Sequence, residues 1–284
     1  MEIAVNLLNG ISYGMILFIM ASGLSLIFGV MGILNLAHGA LYVIGAYIGL
    51  ALATQGIDFF LAALTAGVVI GLLGLVLERA LLGRLYKQVN EQVLLTLGLV
   101  YIFSNVILWI WGPVTQMGRA PSILQGGVNI GDSSYPLYRL VIILIGLAIF
   151  VGLWFFQEKT RIGAIMRAGM DDKQMTIGLG INYGLFYSFI FFLGCLLAGL
   201  AGFLGTPVIG IAPWLSFDIL LLALIVIVVG GVGYVQGTLV GAILIGVIDS
   251  FGRVYFPDFA LFTIYLAMII ILLYRPTGLL GRAQ

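Results

Sequence analysis

Apolar runs of fourteen to thirty residues, separated by short polar or glycine-rich stretches, fill the sequence. The ruler for such runs is the bilayer, whose hydrocarbon core of about 30 Å takes roughly 20 helical residues. On that ruler residues 3–28, 39–53, 59–82, 93–111, 137–156, 185–204 and 261–274 each read as a membrane segment. Two of them, 39–53 and 261–274, are short for a full crossing and need flanking residues, local thinning or a broken partner helix. An eighth apolar stretch, 219–248, is interrupted by Gly230, Gly231, Gly233 and Gly237. The pattern predicts an all-α polytopic bundle of about eight to nine membrane segments with one broken or re-entrant helix.

Composition narrows the class. With 62% hydrophobic residues, 8% charged residues and a mean hydropathy of +1.22, a water-soluble globule of this length is excluded. A formal net charge of +1 without a basic cluster argues against a nucleic-acid partner. The single cysteine, Cys195, excludes an intrachain disulfide. Glu2 and no Lys or Arg precede the first apolar run, so a cleavable signal peptide is not expected and the first segment should be retained. Glycines spaced by four at Gly10/Gly14, Gly45/Gly49, Gly67/Gly71 and Gly233/Gly237/Gly241 predict close helix crossings.

Charge orients the chain, because Lys and Arg in short loops favour the cytoplasm. Arg79, Arg84, Lys87, Lys159, Arg161, Arg167, Lys173, Arg275 and Arg282 fall on one side, against Arg119, Arg139 and Arg253 on the other. The C-terminus is therefore expected in the cytoplasm. That orientation makes 219–248 either a re-entrant hairpin or two short spans bent at Gly230 to Gly237, since one crossing would reverse the tail. Irregular backbone at membrane depth must be covered by protein or line a cavity, which places Gly233 and Gln236 near the interior. Trp109, Trp111 and Trp154 sit at segment ends as headgroup-level anchors. The stretch 112–136, rich in Gly, Pro, Ser and Asn, is the longest external connection.

Two polar residues interrupt the run VMGILNLAHGALYVIGAY at 30–47: Asn35 and the only histidine, His38. Burying an amide or imidazole in hydrocarbon costs several kcal/mol unless it is satisfied. Two readings stand, a hydrogen bond between packed helices worth about 1 kcal/mol or an intramembrane functional site. The longest internal connection, 157–183, is the most charged part of the chain. Ile162, Ile165 and Met166 beside Arg161 and Arg167 predict a short amphipathic helix ending near Gly169, and Asp171 suits the N-cap of a second one stopped by Gly178 and Gly180.

Four motifs in order, NLAHG at 35–39, TRIGAIMRA at 160–168 with Asp172 and Gly180-Ile181-Asn182, GGVG at 230–233 and YRPTGLLG at 274–281, resemble the branched-chain amino acid permeases of ATP-binding cassette importers. The resemblance covers nearly the whole chain. Relatives carry urea, short-chain amides or aromatic acids, so the motifs specify the family and not the solute. The resemblance implies one transmembrane permease domain over 1–284 in the bacterial inner membrane. Its implied partners are a second homologous permease, two cytoplasmic ATPase subunits that bind ATP and Mg, and a periplasmic substrate-binding protein, with no cofactor held by this chain. By the same resemblance Glu158, Arg161, Gly163, Arg167, Asp172 and Gly180 belong to a coupling loop that docks on an ATPase. Met175 departs from the small residue relatives often have there.

The residues themselves support that division of labour. No G-x-x-x-x-G-K-[ST] phosphate cradle occurs, so this subunit is not expected to hydrolyse ATP. An intramembrane enzyme would need H-E-x-x-H, G-x-S-x-G or clustered metal ligands, and one His with one Cys supplies none. An ion-coupled secondary transporter or channel is the stronger rival, because broken helices suit it. It lacks mid-span acids: Asp58, Asp132, Asp218, Asp249 and Asp258 fall near outer ends, and Glu78, Glu91, Glu158, Asp171 and Asp172 near inner ends. The substrate-pathway candidates are Asn35, His38, Gly39, Tyr42 and a facing Gln236, where His38-Gly39 and Gln236-Gly237 hint at an internal repeat. Thr96, Ser104 and Asn105 are lesser candidates.

Overall fold

Six helices are long and apolar enough to cross a membrane: α1 (Glu2–Met31), α3 (Phe59–Ala80), α4 (Val89–Trp111), α5 (Leu137–Lys159), α8 (Tyr183–Ile209) and α10 (Val235–Tyr255). Three shorter apolar helices, α2 (His38–Thr54), α9 (Leu215–Gly230) and α11 (Ala260–Tyr274), complete the bundle, and α6 (Arg161–Asp171) and α7 (Lys173–Gly178) join α5 to α8. The computed structural model of the chain describes residues 2–86, 88–130, 133–171, 173–178 and 183–281. A bundle of membrane helices is as expected. The bundle is not purely helical, because β1 (Gly127–Ile130) pairs antiparallel with β2 (Ser133–Pro136) in the connection between α4 and α5. Those eight residues alternate too briefly to register as strands beside the Gly, Pro and Ser around them.

α1 forms the axis. It is apolar on every face, and Met15 to Ala21 are all at most 1% exposed, as expected of a helix enclosed by others rather than facing one layer. α8 is similarly enclosed, and glycines set how closely the helices meet. A Cβ on Gly10 would lie 2.6 Å from the Val247 Cα, one on Gly14 2.7 Å from the Ala242 carbonyl oxygen, and one on Gly23 would fall on the Gly194 carbonyl. Without hydrophobic drive between helices in lipid, such approaches supply the dispersion contacts that hold them. Gly45, Gly67 and Gly71 meet α8 in the same manner, as their four-residue spacing predicts. Cys195 is buried against Gly74.

The remaining faces differ. Leu94, Trp109, Phe155, Phe262 and Leu273 leave apolar surface outward on α4, α5 and α11, where a bilayer covers it. Trp109 is 87% exposed, but Trp111 stacks on Tyr47 with centroids 5.0 Å apart, so it is a packing residue as much as an anchor. Pro207 in α8 removes the amide that would bond Phe203, and the Thr206 hydroxyl donates to that carbonyl instead at 2.8 Å. Beyond it the chain breaks at Gly210, where Ile211 and Gln116 exchange backbone hydrogen bonds of 2.8 Å. The connection after α4 is thereby pinned onto the bundle.

The interrupted stretch 219–248 resolves into α9, of 16 residues, and α10, of 21 residues, meeting at Gly231 to Tyr234. Where the sequence left a re-entrant hairpin or two short spans, the chain forms one short helix and one of full length. The sequence boundary at Ile248 came too early because Asp249 and Arg253 look like a polar end, whereas their ion pair lets α10 run on to Tyr255. The N-cap expected at Asp171 is corrected also, since α6 continues through that residue.

Candidate functional site

The first break follows α1. His38 opens α2, and its Nε2 lies 3.2 Å from the Met20 carbonyl oxygen. A carbonyl only accepts, so the proton belongs on Nε2; Nδ1 is then a buried acceptor without a hydrogen bond in the described residues. Met20 stands eleven residues before the end of α1, which puts the start of α2 about 16 Å short of that end. Asn35 builds this entry, its Oδ1 accepting from the Ala37 amide at 3.1 Å while its carbonyl accepts from the His38 amide at 3.2 Å. Gly39 packs on the Ser216 carbonyl, and the Tyr42 backbone fits against Gly202.

Of the other pathway candidates, the Thr96 hydroxyl is buried and turned onto its own helix, bonding Gln92 and Val93 carbonyls at 2.9 and 3.1 Å. Ser104 reaches Ser216, and Asn105 bonds the Tyr101 carbonyl on an exposed face. Gln236 is not brought to His38. Gly39 meets α9 at Ser216 whereas Gly237 meets it at Gly230, and fourteen residues of helix separate these points by about 21 Å. The suspected repeat is a likeness of position, each pair lying just after a break, and not a shared site.

The second break collects three of the sequence motifs. Gly231 and Gly233 take left-handed backbone, φ +106° and +82°, which turns α9 into α10. The last carbonyls of α9 would be orphaned there, but the tail supplies donors: Leu279 N bonds Val229 O at 2.8 Å and Leu280 N bonds Gly230 O at 3.1 Å. Gly233 N donates to Ser25 Oγ at 3.0 Å. Gln157, the last buried residue of α5, clamps both sides of the turn: its Nε2 donates to Gly233 O at 2.7 Å and its Oε1 accepts from Val235 N at 3.3 Å. Sequence reasoning missed Gln157 because its segment looked like a solvated charged loop.

The same clamp touches the polar connection. Thr160 caps α6, its hydroxyl accepting from Gly163 N at 3.1 Å. Gly163 lies against the Phe156 and Gln157 carbonyls, Met166 is fully buried, Met170 sulfur approaches Gly233, and Arg167 donates to the Gln157 carbonyl while pairing with Glu158 at 3.6 Å. Arg167 is therefore a brace of this joint. Arg161, Ile162, Ala164 and Ala168 form the exposed side of α6. Asp172 and Gly180 lie outside the described residues. Thr160→Ala is expected to cost about 1 kcal/mol of local helix stability, seen as faster amide exchange confined to residues 161–166.

At the far end of the bundle, beside the hairpin, a cavity of about 350 Å³ opens between α1, α5, α8 and α10, lined by Asn6, Asn9, Tyr13, Arg139, Asp249 and Arg253 among others. Burial holds the nearby Tyr135 hydroxyl above the ordinary phenol range, so it stays protonated. These residues read in sequence as scattered end charges. Among the described residues no three His, Cys, Asp or Glu side chains come together as a metal would need.

The likeness to known proteins runs the length of the chain. The family model described as branched-chain amino acid transport system / permease component matches residues 6–272. The high-affinity branched-chain amino acid transport system permease protein BraD of Pseudomonas aeruginosa is 30% identical, with 98% of this chain and 96% of that one aligned. The corresponding LivH of Escherichia coli is 27% identical over the same shares. In fold, a chain of PsaBC from Streptococcus pneumoniae in complex with Fab superposes with a TM-score of 0.50 at 15% identity, covering 94% of this chain and 89% of that one. The protein is a multi-pass membrane protein, and it belongs to the family of permease components of branched-chain amino acid transport systems.

Proposed function

We propose that this chain, as one transmembrane permease domain, forms half of the translocation pathway of an ATP-driven importer for branched-chain amino acids or related small polar solutes. A second homologous permease supplies the other half, two cytoplasmic ATPase subunits hold ATP and Mg, and a periplasmic binding protein delivers the solute. The importer sits in the bacterial inner membrane with α6, α7 and the C-terminus in the cytoplasm, in keeping with the basic residues at that end. Asn35, His38, Gly39, Tyr42, Thr96 and Gln236 remain the proposed pathway set, the first five buried around the first break and Gln236 standing at the second rather than opposite His38. An ion-coupled carrier is disfavoured by the kinship with BraD and LivH.

The observation that carries the mechanism is the joint at Gly233. α6 offers an exposed face to an ATPase, and its buried face is fastened through Gln157 to the turn between α9 and α10. Movement imposed on α6 is thereby delivered to a helix break, where a few left-handed glycines can absorb a change of backbone angle. Arg161 makes the docking contact, with Glu158, Gly163 and Arg167 holding α6 in place. The test is Arg161→Glu in the assembled complex. Uptake of radiolabelled leucine is expected to fall about tenfold or more with the membrane subunits still co-purifying; undiminished uptake would remove Arg161 from the contact.

A further inference from the structure

The cavity beside the hairpin carries the chemistry of a receptor for a free amino acid. Asp249 is nearly enclosed, its side chain 6% exposed, and its Oδ2 accepts from Arg253 Nε at 2.8 Å. Its Oδ1 is buried with no hydrogen bond in the described residues. A buried carboxylate oxygen left bare is costly, and a cationic donor is the group that relieves it. Arg139, anchored to Asn9 Oδ1, and Arg253, whose side chain is 63% exposed, each keep guanidinium N–H groups for a second partner. A guanidinium fork matches a carboxylate.

We infer that this vestibule binds the main-chain end of an apolar amino acid, its ammonium on Asp249 Oδ1, its carboxylate on Arg139 and Arg253, and its aliphatic side chain against Val208, Ile209 and Val254. The inference rests on the amino-acid transport reading above and places a site on it that lies far from the joint at Gly233. Two arginines and one aspartate line the cradle, so a zwitterion finds cationic donors for its carboxylate and a bare anionic acceptor for its ammonium, whereas an amine or a carboxylate alone meets only one of the two. The three aliphatic residues line the same cavity, whose volume falls in the range of small-ligand sites. Its open, partly polar form suits a way-station, where binding must be strong enough to admit the solute and weak enough to release it.

The test uses the assembled complex in membrane vesicles, with Ser250→Cys as reporter and a membrane-impermeant methanethiosulfonate added to the outer face. Buried Cys195 leaves the parent chain as the unlabelled control. Leucine is expected to slow labelling, whereas leucinamide, lacking the carboxylate, and 4-methylpentanoate, lacking the ammonium, do not. Asp249→Asn should raise the half-protecting leucine concentration by about 30-fold, the low end for deleting one partner of a buried charged contact. Where Ser250→Cys fails to assemble, Val254→Cys reports from the same cavity. Labelling that leucine leaves unchanged, or that leucinamide slows equally, overturns the site, as does a reporter the reagent cannot reach. A parent complex that accumulates no branched-chain amino acid overturns the transport reading instead.

Discussion

Gly194→Leu is expected to abolish the folded bundle: the chain should fail to accumulate in membranes, or be degraded by a protease dose that spares the parent. The crossing of α1 and α8 brings Gly23 and Gly194 so close that a Cβ on either falls on the carbonyl of the other. No rotamer relieves a clash between a side chain and backbone. The two helices would have to separate along much of their length, giving up the dispersion contacts of the most buried helix in the protein. Ordinary overpacking costs about 1–3 kcal/mol, and here the helices themselves must move, so the loss exceeds that range. Gly98→Leu and Gly152→Leu are the matched controls, because a Cβ at either meets nothing within 4 Å. Equal yield and protease resistance of Gly194→Leu and Gly98→Leu would refute the argument.

These two classes of glycine illustrate what sequence does and does not reveal. Run length located the membrane helices, because the bilayer imposes a length. Four-residue spacing flagged Gly10 and Gly14 correctly. Yet Gly23 and Gly194, where α1 and α8 meet backbone to backbone, stand in no such pair, since one glycine from each helix suffices at a single point of contact. His38 and Asn35 were conspicuous as polar residues in apolar sequence, and the structure places both at a break. Gln157 and Thr160 were hidden by their setting, for a glutamine or threonine beside Glu158, Lys159 and Arg161 looks solvated. Asp249 was hidden in another manner. The cavity it lines also takes Asn9 from α1 and Arg139 from α5, more than a hundred residues away, and no local pattern encodes that meeting. GGVG and YRPTGLLG were both visible as motifs, but only the folded chain shows that the second closes the helix end that the first leaves open.

Gln157 is where the transport mechanism is most exposed to refutation, and Gln157→Leu is expected to uncouple the importer. Leucine is close in volume, so α5 should still pack; what vanishes is the donor to Gly233 O and the acceptor for Val235 N. Each group stranded at membrane depth costs about 1–3 kcal/mol, and the turn responds by loosening from α5. ATP hydrolysis by the assembled complex is then expected to persist while uptake falls about tenfold or more, since 1.4 kcal/mol of lost coupling already corresponds to a factor of ten. Ser25→Ala removes the acceptor of Gly233 N from the opposite side, and should weaken coupling in the same sense without touching α5. Amide exchange separates this from general instability: residues 233–236 should exchange faster in both variants while α1 between Met15 and Ala21 keeps its protection. Uptake that follows ATP hydrolysis in unchanged proportion would show that force reaches the pathway by some route other than this clamp.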